Sequence, residues 1–119
     1  MVRSTSLSDM SPPTPYEPVE PTRAEIDALA GPTLLEFGTP WCGFCRAAQP
    51  AIAIAMAAHS HVNHLRVADG SGRALGRSFG VKLWPTLLIL RGGKEVARLV
   101  RPREPGPIQE ALRALDAPA

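Results

Sequence analysis

The sequence predicts an α/β sandwich, its strands paired in parallel early in the chain and antiparallel near the end. Two apolar runs and one turn carry that prediction. Thr33-Leu34-Leu35-Glu36-Phe37 lies between Gly31-Pro32 and Gly38, a compact run that suits a central strand buried on both faces. Thr86-Leu87-Leu88-Ile89-Leu90 is followed by Arg91-Gly92-Gly93-Lys94 and then Glu95 to Arg101, which reads as strand, glycine turn and strand, hence a β-hairpin. Helical segments separate these runs, and the predicted order is helix, strand, helix, strand, helix, hairpin, helix.

Residues 1–21 carry Pro12, Pro13, Pro15, Pro18 and Pro21 among serine, threonine and acidic residues. Such a composition sustains neither a helix nor a continuous sheet ladder, so the segment is expected to be a flexible or extended arm, with Tyr16 to Val19 at best a short edge strand. The folded domain is expected over residues 22–119. It opens on Thr22-Arg23-Ala24-Glu25, a capping box, with Ile26, Leu29 and Ala30 following at helical spacing. A long helix is predicted from Cys42 to about Ala58, interrupted by Pro50, whose ring removes a backbone bond. Asn63 to Ala68 alternates as a strand does, and Ser71 to Phe79 places Leu75 and Phe79 one turn apart. Pro107 suits the first position of the last helix, with Ile108, Ala111, Leu112 and Leu115 along one face.

At 119 residues the chain has room for one domain, and its 45% hydrophobic and 20% charged residues are those of a globular protein. A net charge of +2 is too small to imply nucleic acid, and the basic stretch of Arg91, Lys94, Arg98, Arg101 and Arg103 reads as a solvated face. The most apolar stretch, Ala47 to Ala58, is well short of the roughly 20 residues a membrane span needs, so no membrane partner is expected. No apolar run follows Arg3 as a secretory signal requires, and a cytoplasmic location is the expectation.

The chain has two cysteines, Cys42 and Cys45, which leaves no pair for a structural disulfide and points to a catalytic or metal site. At i and i+3 on the first turn of a helix their β-carbons lie about 5–6 Å apart, so a modest adjustment opens or closes a disulfide. Free amides and the positive dipole end at the helix start favour Cys42 as the attacking thiolate, with Cys45, one turn in, more buried and less acidic. Zinc requires four ligands. The remaining candidates, His59, His61 and His64, are predicted to form a solvated turn roughly 25 Å from Cys42, at the far end of a helix rising 1.5 Å per residue. No metal is expected.

With strand, motif and helix placed, the sequence resembles the thioredoxin family. The resemblance rests on Phe37-Gly38-Thr39-Pro40-Trp41-Cys42-Gly43-Phe44-Cys45, on Pro50 five residues after the second cysteine, and on Trp84-Pro85-Thr86 opening an apolar strand that ends in Gly92-Gly93. It covers roughly residues 22–115. It implies a thioredoxin-like three-layer sandwich, a central mixed sheet of four strands, five if Tyr16 to Val19 joins, flanked by helices. It further implies that Pro85 is cis and stands against the cysteines, and that the Trp84 backbone pairs with an extended substrate. Trp41, Gly43, Phe44, Trp84, Pro85 and Gly93 form the implied substrate-binding set. Glu36, six positions before Cys42, matches a buried acidic residue that takes the proton Cys45 must lose.

Two departures bear on the chemistry. Phe44 stands where thioredoxins usually have proline and restores an amide near Cys42, which would raise the reduction potential above the thioredoxin value of about −270 mV. Trp84 replaces a smaller aliphatic residue and would narrow the substrate groove. The resemblance implies a thiol–disulfide oxidoreductase, acting as a general protein disulfide reductase through a Cys42 mixed disulfide that Cys45 resolves. It implies no cofactor beyond the Cys42–Cys45 disulfide itself, protein disulfides as substrates, a thioredoxin reductase or glutathione as electron donor, and a monomer. The competing readings are an oxidase or isomerase in an oxidising compartment and a partner-docking module with incidental redox activity.

Overall fold

The computed structural model describes residues 14–116; the first thirteen residues, and with them most of the predicted proline-rich arm, lie outside the described residues. The elements follow the predicted order: α1 Arg23–Asp27, β1 Thr33–Gly38, α2 Gly43–Ala57, β2 Asn63–Ala68, α3 Ala74–Ser78, β3 Thr86–Arg91, β4 Lys94–Val100 and α4 Pro105–Leu112, with a closing 3₁₀ turn over Arg113–Asp116. The capping box forms, with Glu25 N–H donating to Thr22 Oγ1 at 3.1 Å and Thr22 N–H to Glu25 Oε1 at 2.8 Å. The last helix begins earlier than Pro107 predicts: Pro105 holds its first position, where a missing N–H leaves no bond unmade.

Four strands form one mixed sheet in the order β2-β1-β3-β4. β1 pairs in parallel with β2 and antiparallel with β3, and β3 pairs antiparallel with β4. No fifth strand forms from Tyr16 to Val19. Pro18 has no N–H to donate, and the pairing reduces to a single parallel bridge from Tyr16 to Arg66, with Glu17 N–H on the Arg66 carbonyl at 2.8 Å.

Successive side chains on a strand take opposite faces, and this alternation sorts the core. Leu34, Leu87 and Ile89 pack with Ala48, Ala51, Ile52 and Ala55 of α2 and with Ile108 and Leu112 of α4. Leu35, Phe37, Leu88 and Leu90 pack on the other face with Ile26 of α1, Leu75 of α3 and Phe79. Each fully buried Leu or Ile contributes roughly 1.5–3 kcal/mol by leaving water. The same parity puts Glu36, two residues after Leu34, on the face covered by α2.

The registers also place one end of the sheet. Gly38 is opposite Ala68, Phe37 opposite Thr86, and Thr86 opposite Val100. The loops after β1, after β2, before β3 and after β4 therefore gather at that end, whereas the β3–β4 turn lies at the other.

Candidate active site

Cys42 caps α2. Its backbone is extended (φ −81°, ψ 120°) and its Sγ accepts the Cys45 N–H at 3.2 Å, the place an N-cap acceptor takes on a helix whose first amides have no intrahelical partner. Both cysteines are free thiols. Cys45 is the deeper of the two, at 0% exposure against 8% for Cys42. Burial, the hydrogen bond to Cys42 and the nearby charges of Cys42 and Glu36 push the Cys45 thiol up from 9.0 to about 12, while a backbone hydrogen bond at Thr39 works the other way. The amide at Cys42 Sγ is thus that of Cys45; the predicted donation from Phe44 is not among the bonds formed.

Cys45 is packed against Gly38. A Cβ on Gly38 would stand 2.5 Å from Cys45 Sγ and 3.2 Å from Tyr16 Oη, so the strand must end on a residue without a side chain. Tyr16 thereby reaches the site from the preceding segment. Its hydroxyl is buried with no hydrogen-bond partner, and its ring lies under the Arg66 guanidinium, whose carbon is 4.1 Å from the ring centroid. Burial, ahead of the opposing pull of Arg66, holds the phenol up at about 12.

Glu36 is fully buried under α2 and does not escape to solvent. Oε1 accepts from His64 Nε2 at 2.8 Å; Oε2 accepts from Gln49 Nε2 at 2.8 Å and lies 3.2 Å from Arg66 Nε. The last is a contact of charges without hydrogen-bond alignment, since Arg66 Nε makes no hydrogen bond. Gln49 also donates to the Cys45 carbonyl at 3.0 Å, so one amide ties the carboxylate to the backbone of the second cysteine. His64 is therefore no solvated turn: it belongs to β2, opposite Leu34, and points to the same face as Glu36. His64, Arg66, Gln49 and Tyr16 are site residues that the sequence motif does not reveal. The signal for two of them is the even parity of His64 and Arg66 in a strand beside Glu36.

The Trp84–Pro85 peptide is cis. Pro85 immediately precedes β3 at the end of the sheet where Cys42 follows β1. Trp84 is fixed from three sides: its Nε1–H donates to Asp69 Oδ2 at 2.8 Å, its ring meets Trp41 edge-on at 5.7 Å between centroids, and its carbonyl accepts from Arg101 Nε at 2.9 Å. Trp41 is 71% exposed and Phe44 47%, with Leu83 and Val100 also exposed, so an apolar surface surrounds the buried thiols. Gly43 has open space beside it. Gly93 has a different place. It is in the β3–β4 turn at the opposite end of the sheet from the thiols, where its φ of 79° and the approach of the Asp27 backbone require glycine.

The thioredoxin family model matches residues 20–114, and the chain belongs to the thioredoxin family. Thioredoxin 2 from Pseudomonas aeruginosa PAO1, in its reduced form, superposes with a TM-score of 0.77 at 56% identity, covering 86% of this chain and 94% of that one. Human protein disulfide-isomerase A2 is 38% identical over 92 residues, 72% of this chain and 18% of that protein. Thioredoxin from Porphyra purpurea is 30% identical over 70 residues, 58% of this chain and 65% of that one. The chain thus spans less than two thirds of the length of these last two relatives. Two adjacent free thiols at a helix start, in this fold, make the site that of a thiol–disulfide oxidoreductase.

Proposed function

We propose that the protein is a general protein disulfide reductase. The observation that carries this is the asymmetry of the dithiol: Cys42 caps the helix at the rim of an apolar surface, and Cys45 is sealed behind it with a thiol held up at about 12. An attacking thiol needs access, and a resolving thiol needs to stay protonated until its target forms.

In the reaction, the Cys42 thiolate attacks one sulfur of a substrate disulfide. The substrate S–S bond breaks, and the departing sulfur leaves as a thiolate that takes a proton from water. Cys45 then gives up its proton and attacks Cys42 Sγ, releasing the second substrate thiolate and leaving the Cys42–Cys45 disulfide. Two electrons have passed to the substrate. Glu36 is the acceptor for the Cys45 proton, with Gln49 linking it to the Cys45 backbone and His64 between the carboxylate and the protein edge. Trp84 and cis-Pro85 present the extended substrate backbone, and Trp41 and Phe44 cover its apolar side chains.

The chain acts as a monomer in the cytoplasm, without a cofactor, and is returned to the dithiol by a thioredoxin reductase or by glutathione. Insulin reduction driven by dithiothreitol tests the reading, with Cys42→Ser expected to abolish turnover. Replacing dithiothreitol by NADPH and a thioredoxin reductase, or by glutathione, identifies the donor. Equilibration with glutathione separates a reductase, near the thioredoxin potential of about −270 mV, from an isomerase-like protein near −180 mV. Insulin reduction no faster than the uncatalysed background would end the reductase reading.

A further inference from the structure

Arg101 is the one non-glycine residue with positive φ among the described residues, at 53°. That region suits glycine, and an arginine kept there is held by what its surroundings gain. Its N–H donates to the Pro85 carbonyl at 2.8 Å, which ties the end of β4 to the cis-proline segment. Its side chain then folds over toward Trp84 and Phe44. Nε donates to the Trp84 carbonyl at 2.9 Å, and the guanidinium carbon stands 4.0 Å above the Phe44 ring. One planar group therefore spans the two segments that flank the thiols, Phe44 between the cysteines and Trp84 before cis-Pro85.

The orientation leaves a specific edge unused. The guanidinium face is stacked and Nε is committed, whereas the Nη edge, the fork that matches a carboxylate bidentately, has no protein partner among the described residues. The surrounding charge has the same sign. The four loops that leave the sheet at this end carry Arg73, Lys82, Arg101 and Arg103 against Asp69 and Glu104, and Asp69 is already engaged by Trp84 Nε1. Arg46, one residue after Cys45, is exposed and adds to it.

We propose that Arg101 is a specificity-determining residue of the docking surface, and that it selects disulfide-bearing peptide segments carrying an aspartate or glutamate beside the attacked cysteine. The inference rests on the oxidoreductase reading and adds the substrate's chemical class to it. A carboxylate seated on the Nη edge lies beside Phe44 and Trp84, where an extended peptide passing the thiols presents the side chains next to its cysteine. Arg101 also occupies a lone pair of the Trp84 carbonyl, so side-chain charge takes a larger part in recognition here than backbone pairing alone would give it.

The test uses the full chain, reduced beforehand, and two disulfide peptides identical except for glutamate or glutamine next to the attacked cysteine. Single-turnover rates are followed by tryptophan fluorescence. The glutamate peptide should react about tenfold faster at low salt, the effect of one charge-assisted hydrogen bond on a partly exposed surface. The ratio should fall toward one in high salt and in Arg101→Gly, which accepts the positive φ without strain. Arg101→Asn, which also tolerates that φ, should show the same loss and guards against a folding defect in the glycine variant; Arg101→Lys should give an intermediate ratio, with charge but no fork. Equal rates for the two peptides with the unsubstituted protein, or a preference that survives in both Arg101→Gly and Arg101→Asn, would overturn the assignment while leaving the oxidoreductase reading intact. Reduction of neither peptide would overturn both.

Discussion

The Glu36 carboxylate accepts a 2.8 Å hydrogen bond from His64 Nε2 on the sheet face covered by α2, the helix that carries Cys45. Glu36 is 0% exposed, and its other oxygen accepts from Gln49 and faces the Arg66 guanidinium, so a single buried carboxylate organises two donors and one cation from α2 and β2. Removing one partner of such a set leaves the others uncompensated. Glu36→Leu should therefore destabilise the fold by about 3–5 kcal/mol, and Glu36→Gln, which keeps the shape, by about 1–3 kcal/mol, both read by urea unfolding. In rapid-quench experiments Glu36→Gln should slow the decay of the Cys42 mixed disulfide about 100-fold, within the range of general base catalysis. A decay rate equal to the unsubstituted protein's would take the carboxylate out of the proton's path.

Stability should depend on pH through Cys45. Folding holds this thiol at about 12 against 9.0, so the unfolded chain releases the proton first and gains as pH rises. The contribution is fully present below pH 9 and is lost on the way to 12; Tyr16, raised from 10.0 to about 12, acts in the same direction from a slightly higher pH. The urea midpoint of the dithiol form should fall between pH 8 and pH 10.5 by more than that of Cys45→Ala, in which this thiol is gone. Parallel pH profiles for the two proteins would contradict the burial of Cys45 as the cause.

Gly38 and Gly93 separate a site glycine from a structural one. Gly38→Ala pushes a methyl group into Cys45 Sγ and should cost about 1–3 kcal/mol, with slower resolution of the mixed disulfide as well. Gly93→Ala meets the Asp27 backbone at the far end of the sheet and should lower stability while leaving kcat/KM for insulin, per folded molecule, unchanged. A selective loss of kcat/KM in Gly93→Ala would return that residue to the substrate surface.

The strands and helices were legible because their apolar runs are short, dense and bounded by glycine or proline, and because a capping box marks α1. The dithiol and Pro85 were legible for the same local reason: the chemistry sits within a few adjacent residues. What surrounds them is not local. His64 lies 28 residues from Glu36, and only the parallel register of β1 and β2 puts the two on one face. Gly93 follows an apolar strand that begins at the site, yet six residues at about 3.3 Å each carry it to the other end of the sheet. The positive φ of Arg101 has no sequence signature, since nothing in an arginine announces a left-handed backbone. The basic stretch likewise read as solvated, while Arg98 bonds the Phe79 carbonyl at 2.7 Å and Arg101 that of Trp84 at 2.9 Å.

Cys42 attacks and Cys45 resolves, and trapping separates the two roles. Cys45→Ser, mixed with a disulfide-bonded protein such as insulin, should accumulate one mixed disulfide per chain, and peptide mapping should place it on Cys42. Cys42→Ser should accumulate none on the same timescale, because Cys45 is fully buried. Adduct formation at Cys45 in Cys42→Ser, at a rate comparable to that at Cys42 in Cys45→Ser, would contradict that assignment of the two thiols.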